Sequence, residues 1–370
     1  MSLVDQSEAF SAAELRDRWA RRGHDLLLHD PDGPAECLVR RGELVARADA
    51  AGVVADRLRR WVDEVRHDTA LSVARLRLRP AEQDRCVDIA RENDGVAANH
   101  VHLGSALMLG TPVIWGTGSE VEDALPVPAP PDTSWRRRVT VGVLDTGLDP
   151  HPWFRSRPWF EGVPEVLDAD DDSGQDRQAG HGTFVSGVVL QHAPGAVIRS
   201  RGVLSPLGFT DDVTVAAGLR SLLDERPDVV VLTAGCHTPD DVCPPILRAE
   251  IERFGAAVVV AAAGNHSLSR PFWPAALPSV IAVAATGDDG ALADFSNSGP
   301  WVDAAAPGVD VVSSYVRLRP KGARTYGFAR WSGTSFAAPR VAAAAAVALE
   351  TGGTAAAARQ EARRRYPFGR

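Results

Sequence analysis

From residue 139 onward the apolar positions fall into short, nearly unbroken runs, at 139–144, 197–203, 229–232, 256–262 and 280–284. Between them lie stretches of helical period at 181–191, 211–223 and 246–254. Strands without a polar face must be covered on both sides, so this alternation predicts an α/β fold with a doubly wound parallel sheet. The alanine-rich run 341–349 follows a small-residue turn and reads as a buried helix, with Ser335 at its N-terminal end. There, first-turn N–H groups and the helix dipole favour negative charge.

The first 120 residues have a different texture. Helical periodicity at 11–28, 51–65 and 81–92 alternates with strand-like pieces at 36–46, 71–78 and 95–103, which predicts a small α+β domain with room for one more strand. Residues 120–135 carry Pro126, Pro128, Pro130 and Pro131 among small and acidic residues and read as a stiff, exposed linker. The expected organisation is an N-terminal domain at 1–120, a linker at 121–134, a catalytic domain at 135–350 and a basic tail at 351–370. Arg363, Arg364 and Arg365 read as an exposed helix end.

Composition changes this picture little. The chain has 370 residues, 45% hydrophobic and 24% charged, with a formal net charge of −8, which suits a globular protein and argues against nucleic acid as its main partner. No apolar run is long enough to span a bilayer, and acids at Asp5 and Glu8 spoil a secretory signal, so a cytoplasmic location with no membrane partner is expected. In that compartment Cys37, Cys86, Cys236 and Cys243 should be reduced thiols. Cys236, His237 and Cys243 lack the spacing of a usual metal site, and no metal ligands are assigned.

Parallel sheets bind ligands at the carboxyl ends of their strands, and four chemically useful residues fall on that edge. Asp145 ends the first strand before Gly147, with Asp149 a nearby competitor. His181 opens a helix after Gly180. Asn265 follows Ala263 and Gly264 at a strand end, and Ser335 opens the last helix. Each has an ordinary reading alone: Asx turn, cap, packing residue, N-cap. Together they supply the parts for acyl transfer, with Ser335 as nucleophile, His181 as base and then acid, and Asp145 as its orienting carboxylate. Asn265 and the Ser335 N–H would receive the oxyanion.

These stretches resemble those of the subtilisin-like serine proteases, the subtilases. The resemblance is carried by VGVLDTG at 141–147, HGTFVSG at 181–187, AAGN at 262–265, FSNSG at 295–299 with APG at 306–308, and GTSFAAP at 333–339. It implies a subtilisin-like fold, peptidase activity on a polypeptide substrate and the triad roles above. It also implies that Thr233, Ala234 and Gly235, in place of the usual Ser-Leu-Gly, pair with the substrate backbone opposite Ala263 and Gly264. Phe336 replaces a common methionine. Phe272, where the family often has a small residue, either narrows the pocket for the residue before the scissile bond or packs into the core. The N-terminal region, best at 96–101 (VAANHV), resembles a propeptide that would contact the catalytic domain.

The acids Asp168, Asp170, Asp171 and Asp172 lack the glycine and distal glutamate of an EF-hand, and read as a solvated loop. No cofactor is required for the chemistry, and structural calcium stays unassigned. The same triad would serve a peptide ligase or macrocyclase, and a capped cleft would suit a catalytically silent binding protein.

Overall fold

The computed structural model describes residues 25–104, 121–169 and 174–369. Its N-terminal unit comprises β1 (Leu26–His29), β2 (Cys37–Arg47), α1 (Ala51–Arg57), β3 (Val62–Asp68), β4 (Val73–Leu78), α2 (Cys86–Arg91) and β5 (Val96–Leu103). The strands form an antiparallel sheet in the order β3-β4-β2-β5, with β1 on β2. Leu44, Leu58, Leu76 and Cys86 are buried between sheet and helices.

Two sequence expectations are corrected here. Most of the helix expected at 11–28 lies outside the described residues, but Leu26, Leu27 and Leu28 pair with Arg40, Val39 and Leu38 as strand. The helix expected at 51–65 stops at Arg57, and β3 follows, pairing Val65 with Leu76. Three-leucine and valine-spaced runs fit either period, and the available strand edge decided both. The helix expected at 81–92 begins as a 3₁₀ turn, Pro80–Arg85.

The second unit contains β6 (Glu122–Asp123), β7 (Thr140–Asp145), α3 (Pro152–Arg155), α4 (His181–His192), β8 (Val197–Gly202), β9 (Phe209–Asp211), α5 (Asp212–Leu222), β10 (Val229–Leu232), α6 (Pro245–Glu252), β11 (Val258–Ala262), β12 (Val280–Thr286), β13 (Ala304–Pro307), β14 (Val311–Arg319), β15 (Ala323–Trp331), α7 (Thr334–Glu350) and α8 (Ala355–Arg365). Six strands form a parallel sheet in the order β13-β12-β11-β10-β7-β8. Successive residues of one strand face opposite layers. Val229, Val231, Val258, Val260 and Ile281 pack with α4 and α7, whereas Val230, Leu232, Val259, Val280 and Ala282 pack with α5 and α6. That two-sided burial is why these strands read as apolar runs.

The chain leaves β7 for β8 on one side and returns to β10 on the other, so strand order reverses between β7 and β10. A crevice opens at such a point. Beside it, β14 and β15 form a hairpin, and β6 joins β15 through Glu122 and Asp123. The described part of the proline-rich segment is mostly exposed, but Pro130 is buried and its carbonyl, with that of Pro131, accepts from Arg157. The last residues form α8, where Arg363 pairs with Asp303 and Arg364 with Glu361. Among the described residues no helix is long and apolar enough to cross a membrane.

The N-terminal sheet continues onto β9, which pairs antiparallel with β5 through Val101–Asp211, His102–Thr210 and Leu103–Phe209. On its other edge Leu103 exchanges backbone hydrogen bonds with Gly235, at 2.7 and 3.2 Å. Val45, Leu71 and Val73 pack against Val213 and Ala216 of α5. At the seam Asp212 accepts from the His100 amide at 2.8 Å, from His100 Nδ1 at 2.9 Å and from His102 Nε2 at 2.7 Å. Burial pushes the Asp212 carboxyl up, but the two imidazoles outweigh it and hold it at about 2.

An Asp212→Ala substitution strands three buried donors, each costing about 1–3 kcal/mol. Hydrogen exchange should then accelerate at His100, Val101 and Leu103 before the β7 to β12 sheet is affected. Unchanged protection along β5 would mean that these bonds do not hold the seam.

Candidate active site

The four residues picked from the sequence converge on the carboxyl edge of the parallel sheet. Asp145 is the last residue of β7, and His181 is the first of α4. His181 Nδ1 lies 2.7 Å from Asp145 Oδ1 and 2.9 Å from Oδ2, and both side chains are fully buried. Two glycines permit this approach. Gly147 has φ of +138°, and a Cβ on Gly182 would lie 2.2 Å from the Gly147 carbonyl oxygen, so α4 can start directly against the turn that follows Asp145.

Asp145 also accepts from the Thr146 amide at 2.7 Å and the Thr233 hydroxyl at 2.5 Å. With Nδ1 committed to the carboxylate, the tautomer leaves Nε2 as the basic nitrogen of His181, and Nε2 has no hydrogen-bond partner among the described residues. The ring is wedged between Trp331, edge-on at 5.2 Å, and Phe336, at 5.1 Å. The competitor Asp149 is turned elsewhere, bound to Arg324 at 2.5 Å and to the Glu165 amide at 3.0 Å.

Ser335 is the second residue of α7 and is buried. Its Oγ donates to the Thr233 carbonyl at 2.9 Å, and no hydrogen bond joins it to His181 among the described residues. Thr233 therefore touches two of the three groups, with its carbonyl on Ser335 and its hydroxyl on Asp145.

Asn265 is oriented by Thr334. Its Oδ1 accepts from the Thr334 amide and hydroxyl, both at 2.9 Å, and the same hydroxyl accepts from Gly264 N at 3.1 Å. With the oxygen so held, the amide presents its NH₂ as the outward donor. The preceding backbone is fixed by Asn297, whose Nδ2 donates to Ala263 O at 2.9 Å and whose Oδ1 accepts from His266 N and Leu268 N, both at 3.0 Å. Neither Thr334 nor Asn297 was given a role from the sequence, although both stand inside the runs quoted above.

The segment 233–235 and the strand end 263–264 form opposite walls, and Phe272 stands between them. A Cβ on Gly235 would meet its ring at 2.4 Å, and one on Gly264 would meet it at 3.0 Å. The ring is buried against His237 and His266, with centroids 5.1 and 5.5 Å away. Burial lowers His237 to about 4 and His266 to about 3, so this floor is uncharged at neutral pH. The ring is thus buried and also lies against Gly235 and Gly264, which is compatible with both readings of Phe272.

The four cysteines are free and buried. Among the described residues one group could hold a metal, His102, Asp212 and Cys236, with ligand atoms within 4.8 Å of one another. Both Asp212 oxygens are already engaged by the histidines, and burial pushes the Cys236 thiol well above its usual range. His237, grouped with the cysteines in the sequence, turns to the Pro271 carbonyl at 3.0 Å. Of the acid cluster, residues 170–172 lie outside the described residues.

Sequence comparisons agree with this geometry. Residues 136–363 match the model of the Subtilase family. Subtilisin Savinase of Lederbergia lenta is 34% identical over 218 residues, which cover 56% of this chain and 75% of that protein. The thermophilic serine proteinase of Bacillus sp. (strain AK1) is 33% identical over 223 residues, 57% of this chain and 52% of its own length. The minor extracellular protease Epr of Bacillus subtilis (strain 168) is 29% identical over 217 residues, 56% of this chain and 31% of its own. The chain thus spans 31% and 52% of the two longer relatives.

A Thr334→Val substitution removes the hydroxyl that holds the Asn265 oxygen while keeping the shape. If the amide serves as proposed below, kcat should fall with little change in KM. Loss of one oxyanion donor costs about 10² to 10³ in kcat, a magnitude carried over from subtilisin, and Thr334→Val should lose no more than that.

Proposed function

The chain belongs to the subtilase family, and from that premise we propose that it is a serine endopeptidase working through an acyl-enzyme. The observation that carries this reading is the buried Asp145–His181 pair at 2.7 Å, with Ser335 tied to the same Thr233 that binds Asp145. In the reaction the Ser335 hydroxyl turns from the Thr233 carbonyl to His181 Nε2 and attacks the scissile carbonyl as Nε2 takes its proton. Asp145 stabilises the imidazolium that forms, without taking the proton itself. The oxyanion is received by Asn265 Nδ2 and the Ser335 amide at the start of α7. His181 then protonates the departing amine, and water repeats the sequence on the ester. Each role is filled by a side chain or amide of the chain itself, so the scheme calls for no cofactor.

The substrate would lie extended, paired with the edge 233–235. The pairing of Leu103 with Gly235, and of β5 with β9, supports a further part of the reading: the N-terminal unit docks on the catalytic unit as a propeptide does and covers the cleft. In this state Ser335 and His181 are without solvent exposure, so activity requires the N-terminal unit to leave. Ligation has no observation of its own in its favour, and silent binding shares only the docked N-terminal unit.

A fluorophosphonate probe should label Ser335 once the N-terminal unit has been released, and Ser335→Ala should abolish labelling and cleavage together. Cleavage that survives in the alanine variant would remove the assignment. On a peptide library the released enzyme should prefer glycine, alanine or serine before the scissile bond. Phe272→Gly should extend that preference to large apolar residues, and an unchanged preference would show that the ring does not limit the pocket.

A further inference from the structure

Behind the triad lies a carboxylate that this mechanism does not use. Glu165 belongs to the loop between α3 and α4 and is buried. Four donors converge on its two oxygens. Gly180 N reaches Oε2 at 2.7 Å, and the Thr146 hydroxyl donates to the same oxygen. Thr183 N reaches Oε1 at 2.9 Å, and the Thr183 hydroxyl donates to it at 2.5 Å. Thr146 directly follows Asp145, while Gly180 and Thr183 flank His181. Resting on the endopeptidase reading, we propose that Glu165 is a positioning residue for the triad, tying the strand end that carries Asp145 to the helix start that carries His181.

The tie also governs a proton. Thr146 Oγ1 accepts from Gly182 N at 2.8 Å and lies 3.3 Å from Asp145 Oδ1, but its single proton is drawn to Glu165. A carboxylate at 165 therefore keeps that hydroxyl from donating to Asp145, whose full charge stays available to the imidazole. An amide at 165 offers one acceptor oxygen where two are needed. Its NH₂ must face Gly180 N or Thr183 N, donor against donor, and when it takes the place of Oε2, facing Gly180 N, Thr146 is released to donate to Asp145. An Asp145 carrying that extra hydrogen bond stabilises the imidazolium less.

Among the described residues the cation nearest Glu165 is Arg324, whose Nη2 donates to the Glu165 carbonyl at 2.6 Å while its Nη1 binds Asp149. Asp149 lies on the neighbouring turn with its charge taken by Arg324, and Tyr315 of β14, His181 of α4 and Asp145 of β7 complete the surroundings. Burial pushes the Glu165 carboxyl up to about 7, and Asp149 adds to this, against the threonine hydrogen bonds that pull it down. The carboxylate form is thus the one present in alkaline solution.

The experiment compares wild type with Glu165→Gln, Thr146→Val and Thr146→Ser in the full chain. It measures kcat and KM against pH after release of the N-terminal unit, and the downfield proton resonance of the His181–Asp145 hydrogen bond before release. Glu165→Gln should lower kcat by about 10², the loss expected for a misplacement of this kind, with KM unchanged. The acid limb of its pH profile should move to lower pH, because a less stabilised imidazolium has a lower pKa, and the resonance should move upfield. Thr146→Val should also lose kcat, and Thr146→Ser, which keeps the hydroxyl, should regain it. An unchanged kcat in Glu165→Gln, or a loss with both limb and resonance unmoved, overturns the proposal. A wild type that cleaves no peptide would instead defeat the endopeptidase reading, and the resonance would still report on Glu165.

Discussion

Asp145 is a carboxylate taken wholly out of water with no arginine or lysine described beside it, and its charge must be met by hydrogen bonds alone. The donors come from separate pieces of chain: the next residue's amide, a hydroxyl at the end of β10 and the imidazole at the start of α4. Satisfying that one charge fixes the ends of two adjacent strands and one helix relative to one another. Through the Thr233 carbonyl it also reaches the first turn of α7. The parallel sheet places these ends together at its carboxyl edge.

The same edge also receives the N-terminal unit. An extended segment entering between β9 and residues 233–235 finds backbone partners on both sides, and the chain's own β5 and Leu103 occupy that position. Asp212 anchors the occupant by a second buried carboxylate, answered by two histidine side chains and an amide. Both carboxylates are costly to leave unpaired, so the seam and the triad are each specific to their partners. The Phe272 ring takes the space between Gly235 and Gly264.

Much of the catalytic unit was legible because its strands are buried on both faces and its functional residues sit where strands end or helices begin. Thr140–Asp145, Val229–Leu232 and His181–His192 lie within a residue or so of the spans expected from apolar runs. The N-terminal unit was harder to read. β3 lies at the edge of its sheet and shows only Val62 and Val65 against charged neighbours, a spacing that serves a helix equally well. The β14–β15 hairpin passed unnoticed because arginines and glycines interrupt its alternation.

By itself the sequence determined which groups could react, since an aspartate, a histidine, an asparagine and a serine beside glycines at element ends are chemical facts of the chain. It also determined the parallel sheet, because an uninterrupted apolar strand has no other stable place. Only the tertiary structure decided that Glu165 stands behind Asp145 and His181, that Thr334 turns the Asn265 amide, that Phe272 lies between Gly235 and Gly264 and that Asp212 bonds His100 and His102 across the seam. These roles depend on contacts between residues separated along the chain, 15 positions apart at Glu165 and Gly180 and 110 apart at His102 and Asp212. Hydrophobic periodicity reports only which face of a local element is buried, and carries no information about which distant polar atom will meet it there.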